Sequence, residues 1–522
     1  MATAIMTEVA GNNEFHQLAY KIAQTVTIIL LMCPAYSAAA DWKITPRLSL
    51  TETYTDNVTL ATQGNEQSDF ITQINPGISL TGTGARLKVN ANYTMQNLFY
   101  AHESNQNSTY HQLGAGAKAE LIKHFFFLDG TASISQQNIS PFGPLTNNNE
   151  NITNNRTTVK TYTISPYIQH KFSNFASAQA RYTYNSVDSG IVGQQSGNQS
   201  DIILLSLTSG SAFRTLGWGL NYTKQKYSNF GFIPIETERY VGNLRYRISS
   251  KFSLTGTGGY EQFGYSPISG VASGTFWTAG FAWTPTGRTS IVASAGERFF
   301  GNTYNLIASH RTRRTAWSIN YNQNITTTRD QFLIPATTDT ANFLNQLWTS
   351  NIPDPVMRQQ TVDAFIRDNG LSASVFEPIN FIANQFFLQK NLLASVALSG
   401  TKSTLVFSIY NQLREPQTAA DVNNALIGTA LNSDTKQIGA NALWSYKISP
   451  RANANIGAIY IKTNILATGQ EDETKTFRVG LTKQIKPKLN GAVNFRHVER
   501  TSNQIGSDYR ENAIYASLSM AF

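Results

Sequence analysis

The sequence has almost no cysteine, few charged residues and no long apolar run. Its one cysteine, Cys33, lies in an apolar segment near the start, so we expect no disulfide framework, no cysteine-ligated zinc site and no thiol catalysis. Charged residues make up 14% of the 522 positions, against about 25% in an ordinary soluble domain. No segment reaches the roughly 18 consecutive apolar residues that a membrane-spanning helix requires.

Motifs for catalysis and for metal or cofactor binding are missing as well. The seven histidines do not occur at metal-ligand spacing, and the nucleophile-elbow, zinc-protease and phosphate-loop motifs are absent. The net charge is +9, but the basic residues are scattered, which argues against nucleic-acid binding. We therefore expect no enzyme, no metal and no cofactor. The basic balance favours lipopolysaccharide or another anionic polymer as the partner.

Residues 1–40 have the order of a secretory signal peptide. Thr25–Met32 is apolar, Lys21 precedes it, and the small residues Ala38–Ala40 follow. The apolar part is too short to anchor the chain in a bilayer. The sequence therefore predicts a signal peptide over 1–40 and a mature chain over 41–522.

Apolar and polar side chains alternate with a period of two along most of the mature chain. The segments Arg239–Ile248, Ala176–Asn185 and Leu489–Arg496 are clear examples. This period indicates strands with one apolar and one polar face. The apolar face mixes alanine, glycine and leucine with many of the 29 Phe and 23 Tyr, which is typical of a lipid-facing barrel with aromatic girdles. A soluble β-sandwich, the alternative, would use mostly valine, isoleucine and leucine.

Short turns and long polar loops alternate between these strands. Glycine, proline, asparagine and serine mark the turns, at Gly82–Gly84, Lys123–His124, Ser173–Asn174, Ser209–Gly210, Ser250–Lys251, Pro285–Gly287, Arg311–Thr312, Gly400–Thr401, Pro450–Arg451 and Pro487–Lys488. Long loops include Asn138–Arg156, Asp188–Gln199 and Glu415–Asp434. We predict a closed antiparallel transmembrane β-barrel of about 22 strands (roughly 18–26), with both termini in the periplasm. Outer-membrane lipid and lipopolysaccharide are then its expected partners.

One interval between turns is about twice as long as the others, and its extra length covers residues 335–378. Asp354 and Pro355 suit the start of a helix and Gly370 its end, so this range predicts a short helical insert in an extracellular loop. Its apolar stripe needs burial. The insert would either fold into the barrel interior as a constriction or lie outside as a lid.

The end of the chain carries a predicted assembly signal. Leu518, Met520 and Phe522 alternate on one face of the last strand, which closes on an aromatic residue. Such a strand resembles the signal that the barrel-assembly machinery recognises, so we expect that machinery to be a partner.

Five arginines fall on the polar face of predicted strands and are candidates for lining the barrel interior. They are Arg181, Arg239, Arg245, Arg247 and Arg496. Unpaired, they would create a positive field for acidic sugars. Alternatively, they pair with inward-facing acids or hold lipopolysaccharide at the rim.

Several stretches resemble the outer-membrane barrel family associated with the PEP-CTERM/exosortase protein-sorting system of Gram-negative bacteria. The resemblance is carried by Ile44–Pro46, Glu52–Val58, Arg313–Tyr321, Ile325–Thr328, Asp354–Arg358, Gly370–Leu371 and Ser507–Asn512, and it spans about residues 41–522. It implies an outer-membrane location and a link to exopolysaccharide gene clusters, but no catalytic residue.

Two functions remain open from the sequence. The first is a porin-like pore or conduit for export of an extracellular polymer. The second is a structural or adhesive barrel that presents long surface loops to polysaccharide or to sorted surface proteins. A TonB-dependent transporter is disfavoured, because the strand pattern begins within a few residues of Trp42 and leaves no room for a plug domain.

Overall fold

The chain folds into one closed antiparallel barrel. The computed structural model describes residues 41–146, 148–190, 198–228, 234–268, 270–333, 344–345, 385–418 and 433–522. Its 22 strands form a single sheet, in which β1 (Asp41–Thr55) pairs with both the second strand and the last strand, β22 (Tyr509–Ala521). The predicted fold of about 22 strands is thereby confirmed, and closure leaves no sheet edge.

The remaining strands pair with their neighbours in chain order. They are β2 (Asp69–Thr83), β3 (Leu87–Tyr100), β4 (Ser108–Ile122), β5 (Phe126–Asn138), β6 (Arg156–Phe172), β7 (Ala176–Asp188), β8 (Asn198–Ser209), β9 (Leu216–Ser228), β10 (Ile235–Arg247), β11 (Phe252–Phe263), β12 (Ser273–Thr286), β13 (Thr289–Arg298), β14 (Gly301–Arg311), β15 (Thr315–Thr327), β16 (Phe386–Ser399), β17 (Ser403–Pro416), β18 (Thr435–Ser449), β19 (Ala452–Ile465), β20 (Gln470–Lys486) and β21 (Leu489–Ser502). A 3₁₀ turn (Ser104–Gln106) follows β3, and a short helix, α1 (Thr328–Leu333), follows β15. In the described ranges no helix is long and apolar enough to cross a bilayer.

The connections differ between the two ends of the barrel. At one end, here called the short-turn end, all ten connections have two to six residues and coincide with the ten predicted turns. His124 and Ser173 close two of them with φ values of 58° and 51°, a left-handed conformation common in tight turns. Most of the longer connections lie at the opposite end, here called the loop end. Asp41 and Phe522 both lie at the short-turn end, where the Phe522 amide donates to the Pro46 carbonyl at 3.0 Å.

The two faces of the sheet have different environments. On β12, Trp277 faces outward with 56% of its surface exposed, whereas Phe276 on the interior face is 4% exposed. Aromatic residues occur near both ends of the outer face, such as Phe172 and Phe175 at the short-turn end and the Tyr54–Phe70 pair, with ring centroids 4.9 Å apart, at the loop end. This is the arrangement that a lipid-facing apolar band flanked by aromatic girdles requires.

Two predicted segments fall outside the described residues. The predicted signal peptide, 1–40, lies outside them, and so does the predicted helical insert, 335–378, apart from Leu344 and Asn345. The described helix α1 begins at Thr328, before the predicted insert. The sequence did not predict this short helix, because Ile325–Thr328 reads as the end of a strand.

Candidate functional site: the barrel interior

A long loop from the loop end folds back into the barrel. We call the connection between β5 and β6, residues 139–155 without 147, the inner loop. Its Ile152 amide donates to the Val58 carbonyl at 2.9 Å, and the Tyr100 hydroxyl donates to the Glu150 carbonyl at 3.0 Å. Val58 and Tyr100 belong to an apolar cluster against which Ile152 packs. The inner loop therefore covers the interior face of β1 to β3.

A buried ion cluster holds the tip of the inner loop. The Arg496 guanidinium lies 2.9 Å from Glu511 Oε1 and 3.3 Å from Glu150 Oε2, so one cation serves a carboxylate of the wall and a carboxylate of the loop. Gln73 donates to Glu150 at 2.7 Å, and Asn151 donates to Glu511 at 2.7 Å. All of these bonds are charge-assisted and shielded from solvent, which strengthens them. We call Arg496, Glu511 and Glu150 the ion cluster.

Further bonds fix the start of the inner loop to the same wall. The Arg500 guanidinium donates to the Phe142 carbonyl at 2.9 Å and lies 3.2 Å from Asp472. The Tyr509 hydroxyl donates to the Leu145 carbonyl at 3.4 Å. The loop is thus bound to β21 and β22 through its backbone carbonyls, not only through Glu150.

Helix α1 makes a second inward crossing from another part of the wall. It follows β15, yet Arg329 donates to the Asn185 carbonyl at 3.1 Å and to the Asn198 carbonyl at 3.3 Å, on β7 and β8. The Tyr227 hydroxyl of β9 donates to Asp330 at 2.8 Å. Burial lowers the pKa of the Arg329 guanidinium, and the nearby Asp330 carboxylate opposes that shift. Because these strands are far apart in the sheet, the bonds span the interior.

Three of the five predicted interior arginines are paired with acids. Arg181 lies 3.0 Å from Asp129 and 3.8 Å above the Tyr167 ring. Arg239 lies 3.5 Å from Glu261, a carboxylate that Arg298 also contacts at 2.6 Å. Arg496 belongs to the ion cluster.

The other two predicted arginines lie near the short-turn end of β10. Arg245 and Arg247 share the alternation of Arg239 and so face the interior. Neither has an ion-pair partner among the described residues. The Arg245 guanidinium instead lies over Gly217, where a Cβ atom would meet Nη2 at 3.2 Å.

A cavity of about 880 Å³ opens on the short-turn side of the ion cluster. Four basic residues, Lys43, Arg47, Arg451 and Arg478, line it from the interior face and an adjacent turn, and none of its lining residues is an acid. Lys483 borders it from a strand position that alternates outward. The sequence interpretation missed this basic set, because it identified Arg451 only as a turn residue and did not test the alternation of β1 and β20.

The same cavity is rich in amide side chains. Seven of its lining residues are asparagine or glutamine: Asn75, Asn441, Asn453, Asn455, Gln484, Asn490 and Asn494. Asn75 and Asn455 are each 8% exposed, and their side-chain oxygens have no hydrogen-bond partner among the described residues. Buried acceptors of this kind are normally satisfied, so these two are unsatisfied acceptors in the wall of the cavity. No group of three or more His, Asp or Glu placed to hold a metal occurs in the described part of the chain.

Comparisons with known proteins found solved structures of similar fold but low sequence identity. No protein-family model matches the chain, and no curated protein matches it. Similar solved structures include a mutant of the ferric enterobactin receptor PfeA from Pseudomonas aeruginosa, at 9% identity over 92% of this chain and 80% of that chain with a TM-score of 0.46. The siderophore receptor PirA from the same species has 9% identity over 92% and 80% with a TM-score of 0.43. OpdK of P. aeruginosa with vanillate has 8% identity over 92% and 99% with a TM-score of 0.34. We assign the fold of this chain from the pairing of its own strands and not from these comparisons.

Proposed function

We propose that this chain is an outer-membrane barrel of an exopolysaccharide and PEP-CTERM protein-sorting system, and that it forms a conduit for export of an extracellular polymer. The observation that carries this proposal is the polar cavity inside the 22-stranded wall. Barrels of more than about 16 strands enclose an aqueous interior unless something fills it. The resemblance of the sequence to that barrel family supports the cellular context.

The proposed location follows from the outer face. Its exposed apolar band would lie in the bilayer, with the short-turn end and both termini in the periplasm. Leu518, Met520 and Phe522 are 48%, 41% and 55% exposed, and they would present the assembly signal to the barrel-assembly machinery. Toward the loop end, outward ion pairs such as Lys224–Glu238 at 2.9 Å and Lys475–Glu473 at 2.7 Å would meet lipopolysaccharide.

The inner loop and α1 would make such a conduit a gated one. Both segments enter from the loop end, and both are held by buried charged hydrogen bonds. The cavity on the other side of the ion cluster would stay accessible from the periplasm. Polymer passage would then require the inner loop to leave the wall, a loop movement of the kind that opens and closes sites in other proteins.

The same contacts favour a second candidate, a structural or adhesive barrel. An inner loop fixed by Arg496, Arg500 and Tyr509 would keep the barrel closed and rigid. The remaining loops would then present a stable surface to polysaccharide or to sorted surface proteins.

Conductance in planar bilayers distinguishes the two candidates. We would compare the refolded mature chain with a variant in which a short Gly-Ser linker replaces residues 140–154. A control would shorten residues 503–507, an exposed connection in which Ile505 contacts little protein. A conduit predicts small or rare current steps in the parent, large steps in the inner-loop variant, and no change in the control. Silence in all three proteins would favour the structural barrel.

The cellular part of the proposal needs its own test. Deleting the gene from a host that produces the polymer should leave polymer in the periplasm and remove it from the surface. Normal surface polymer together with loss of cell adhesion would instead support the adhesive barrel.

A further inference from the structure

The cavity on the short-turn side of the ion cluster combines two kinds of chemistry. Lys43, Arg47, Arg451 and Arg478 supply positive charge, and its lining residues include no carboxylate. Its volume of about 880 Å³ lies within the roughly 300–1,000 Å³ that ligand sites usually occupy. The charged side chains that an anionic group would meet on the lining of this cavity are therefore all basic.

The charge along the interior is unevenly distributed. Arg478 pairs in register with Arg496, but Arg496 is shared by two carboxylates of the ion cluster. The ion cluster thus combines one positive with two negative charges, whereas the charged side chains that line the cavity on its short-turn side are all basic. A field of this shape concentrates anions at the short-turn end and not along the whole interior.

The amide groups add a requirement for hydrogen-bond donors. The side-chain oxygens of Asn75 and Asn455 are more than nine-tenths buried and have no partner among the described residues. A ligand rich in hydroxyl groups can donate to such acceptors and accept from the neighbouring amide groups. Inorganic phosphate chains, once ionised, offer acceptors only.

We propose that this cavity is a binding site for an acidic oligosaccharide chain, whose carboxylates contact the four basic residues while its hydroxyl groups donate to Asn75 and Asn455. This inference rests on the proposed conduit and names the class of polymer that it would carry. The site would receive the chain at the short-turn end, before the chain reaches the inner loop.

Direct binding in detergent solution tests the site without relying on transport. The probes are a short oligogalacturonate, a neutral malto-oligosaccharide and a polyphosphate of matched charge, measured by calorimetry at low and high salt. We expect oligogalacturonate to bind most tightly, with an affinity that falls as salt rises. Equal binding of polyphosphate and oligogalacturonate would overturn the role of the amides, and absence of oligogalacturonate binding would overturn the proposal.

Two sets of variants separate charge from hydrogen bonding. The triple variant Lys43→Glu, Arg47→Glu, Arg451→Glu should weaken oligogalacturonate binding by about tenfold to a hundredfold, the loss expected for several exposed charge pairs. The double variant Asn75→Leu, Asn455→Leu should weaken oligogalacturonate binding while leaving any polyphosphate binding unchanged. That retained binding would also show that the variant is folded.

A matched control carries the same charge change at the same end of the barrel. Lys251→Glu, Arg288→Glu and Lys402→Glu alter exposed turn residues outside the cavity, and together they should leave the affinity within about twofold. An equal loss in this control would refute a localised site. Binding of oligogalacturonate without any conductance would refute the conduit but support the binding site. Conductance without oligogalacturonate binding would support the conduit but refute the binding site.

Discussion

Replacing Arg496 with methionine would leave the carboxylates of Glu511 and Glu150 in the interior without the guanidinium that bridges them. Arg496 is 6% exposed and Glu511 is 1% exposed, so water cannot readily take the place of the cation. Breaking a buried ion pair by removing one partner costs about 3–5 kcal/mol. We expect a loss of that size in the free energy of unfolding, together with release of the inner loop.

The measurement combines unfolding with local proteolysis. Urea unfolding in liposomes, followed by tryptophan fluorescence, gives the free energy, and chymotrypsin added from outside reports exposure of Phe142 in the inner loop. Phe142 is held at its carbonyl by Arg500, so cleavage there means that the loop has left the wall. The parent protein should resist cleavage and the Arg496→Met variant should be cut.

The chain offers a matched control on the same pair of strands. Arg510 lies 2.8 Å from Glu499, but its side chain is 71% exposed. Exposed pairs contribute about 0.2–1 kcal/mol, so Arg510→Met should change stability little and leave Phe142 protected. Equal losses of unfolding free energy in the two variants would refute the reasoning that the ion cluster holds the inner loop because it is buried.

Three further predictions test the lipid face, the girdle and α1. Ala279→Arg, on the outer face of β12, should destabilise the inserted barrel by about 2–4 kcal/mol, whereas its interior neighbour Thr278→Arg should insert normally in liposomes. Gly82→Val should cost about 1–3 kcal/mol in urea unfolding, because a Cβ at Gly82 would overlap the Trp42 ring. Arg329→Gln should cost about 1.5–3 kcal/mol and raise hydrogen exchange in α1, since it loses its buried bonds to carbonyls.

The strand count was predictable because its signals are local. Alternation with a period of two needs only about ten residues of sequence, and turns need only three or four. Pro450–Arg451 and Pro487–Lys488, for example, occupy the turns between β18 and β19 and between β20 and β21. Because each turn and each alternating segment indicates the barrel by itself, an error in one of them does not change the assignment of the others.

The organisation of the interior was not predictable by the same reasoning. Glu150 lies in an asparagine-rich stretch that reads as an outside loop, and its partner Arg496 is 346 positions away. Alternation identified the polar face of Arg181 and Arg239 but not the acids Asp129 and Glu261 that contact them. Which charges neutralise one another depends on register between distant strands, and a single sequence does not specify it.

The position of these charges has a consequence for the energy of gating. A bound ligand can shift a closed barrel toward an open one only by its difference in affinity for the two states. An acidic chain held at Arg478 would bring its negative charge close to the ion cluster, where Arg496 stands next to Arg478 in register. Competition for Arg496 would then weaken its bond to Glu150, the loop's own carboxylate, more than its two bonds to Glu511. If the cost of opening is the roughly 3–5 kcal/mol of the ion cluster, an acidic ligand should increase cleavage at Phe142 in the parent protein. A neutral oligosaccharide should not increase this cleavage. Equal protection of Phe142 with both ligands would show that binding in the cavity does not affect release of the inner loop.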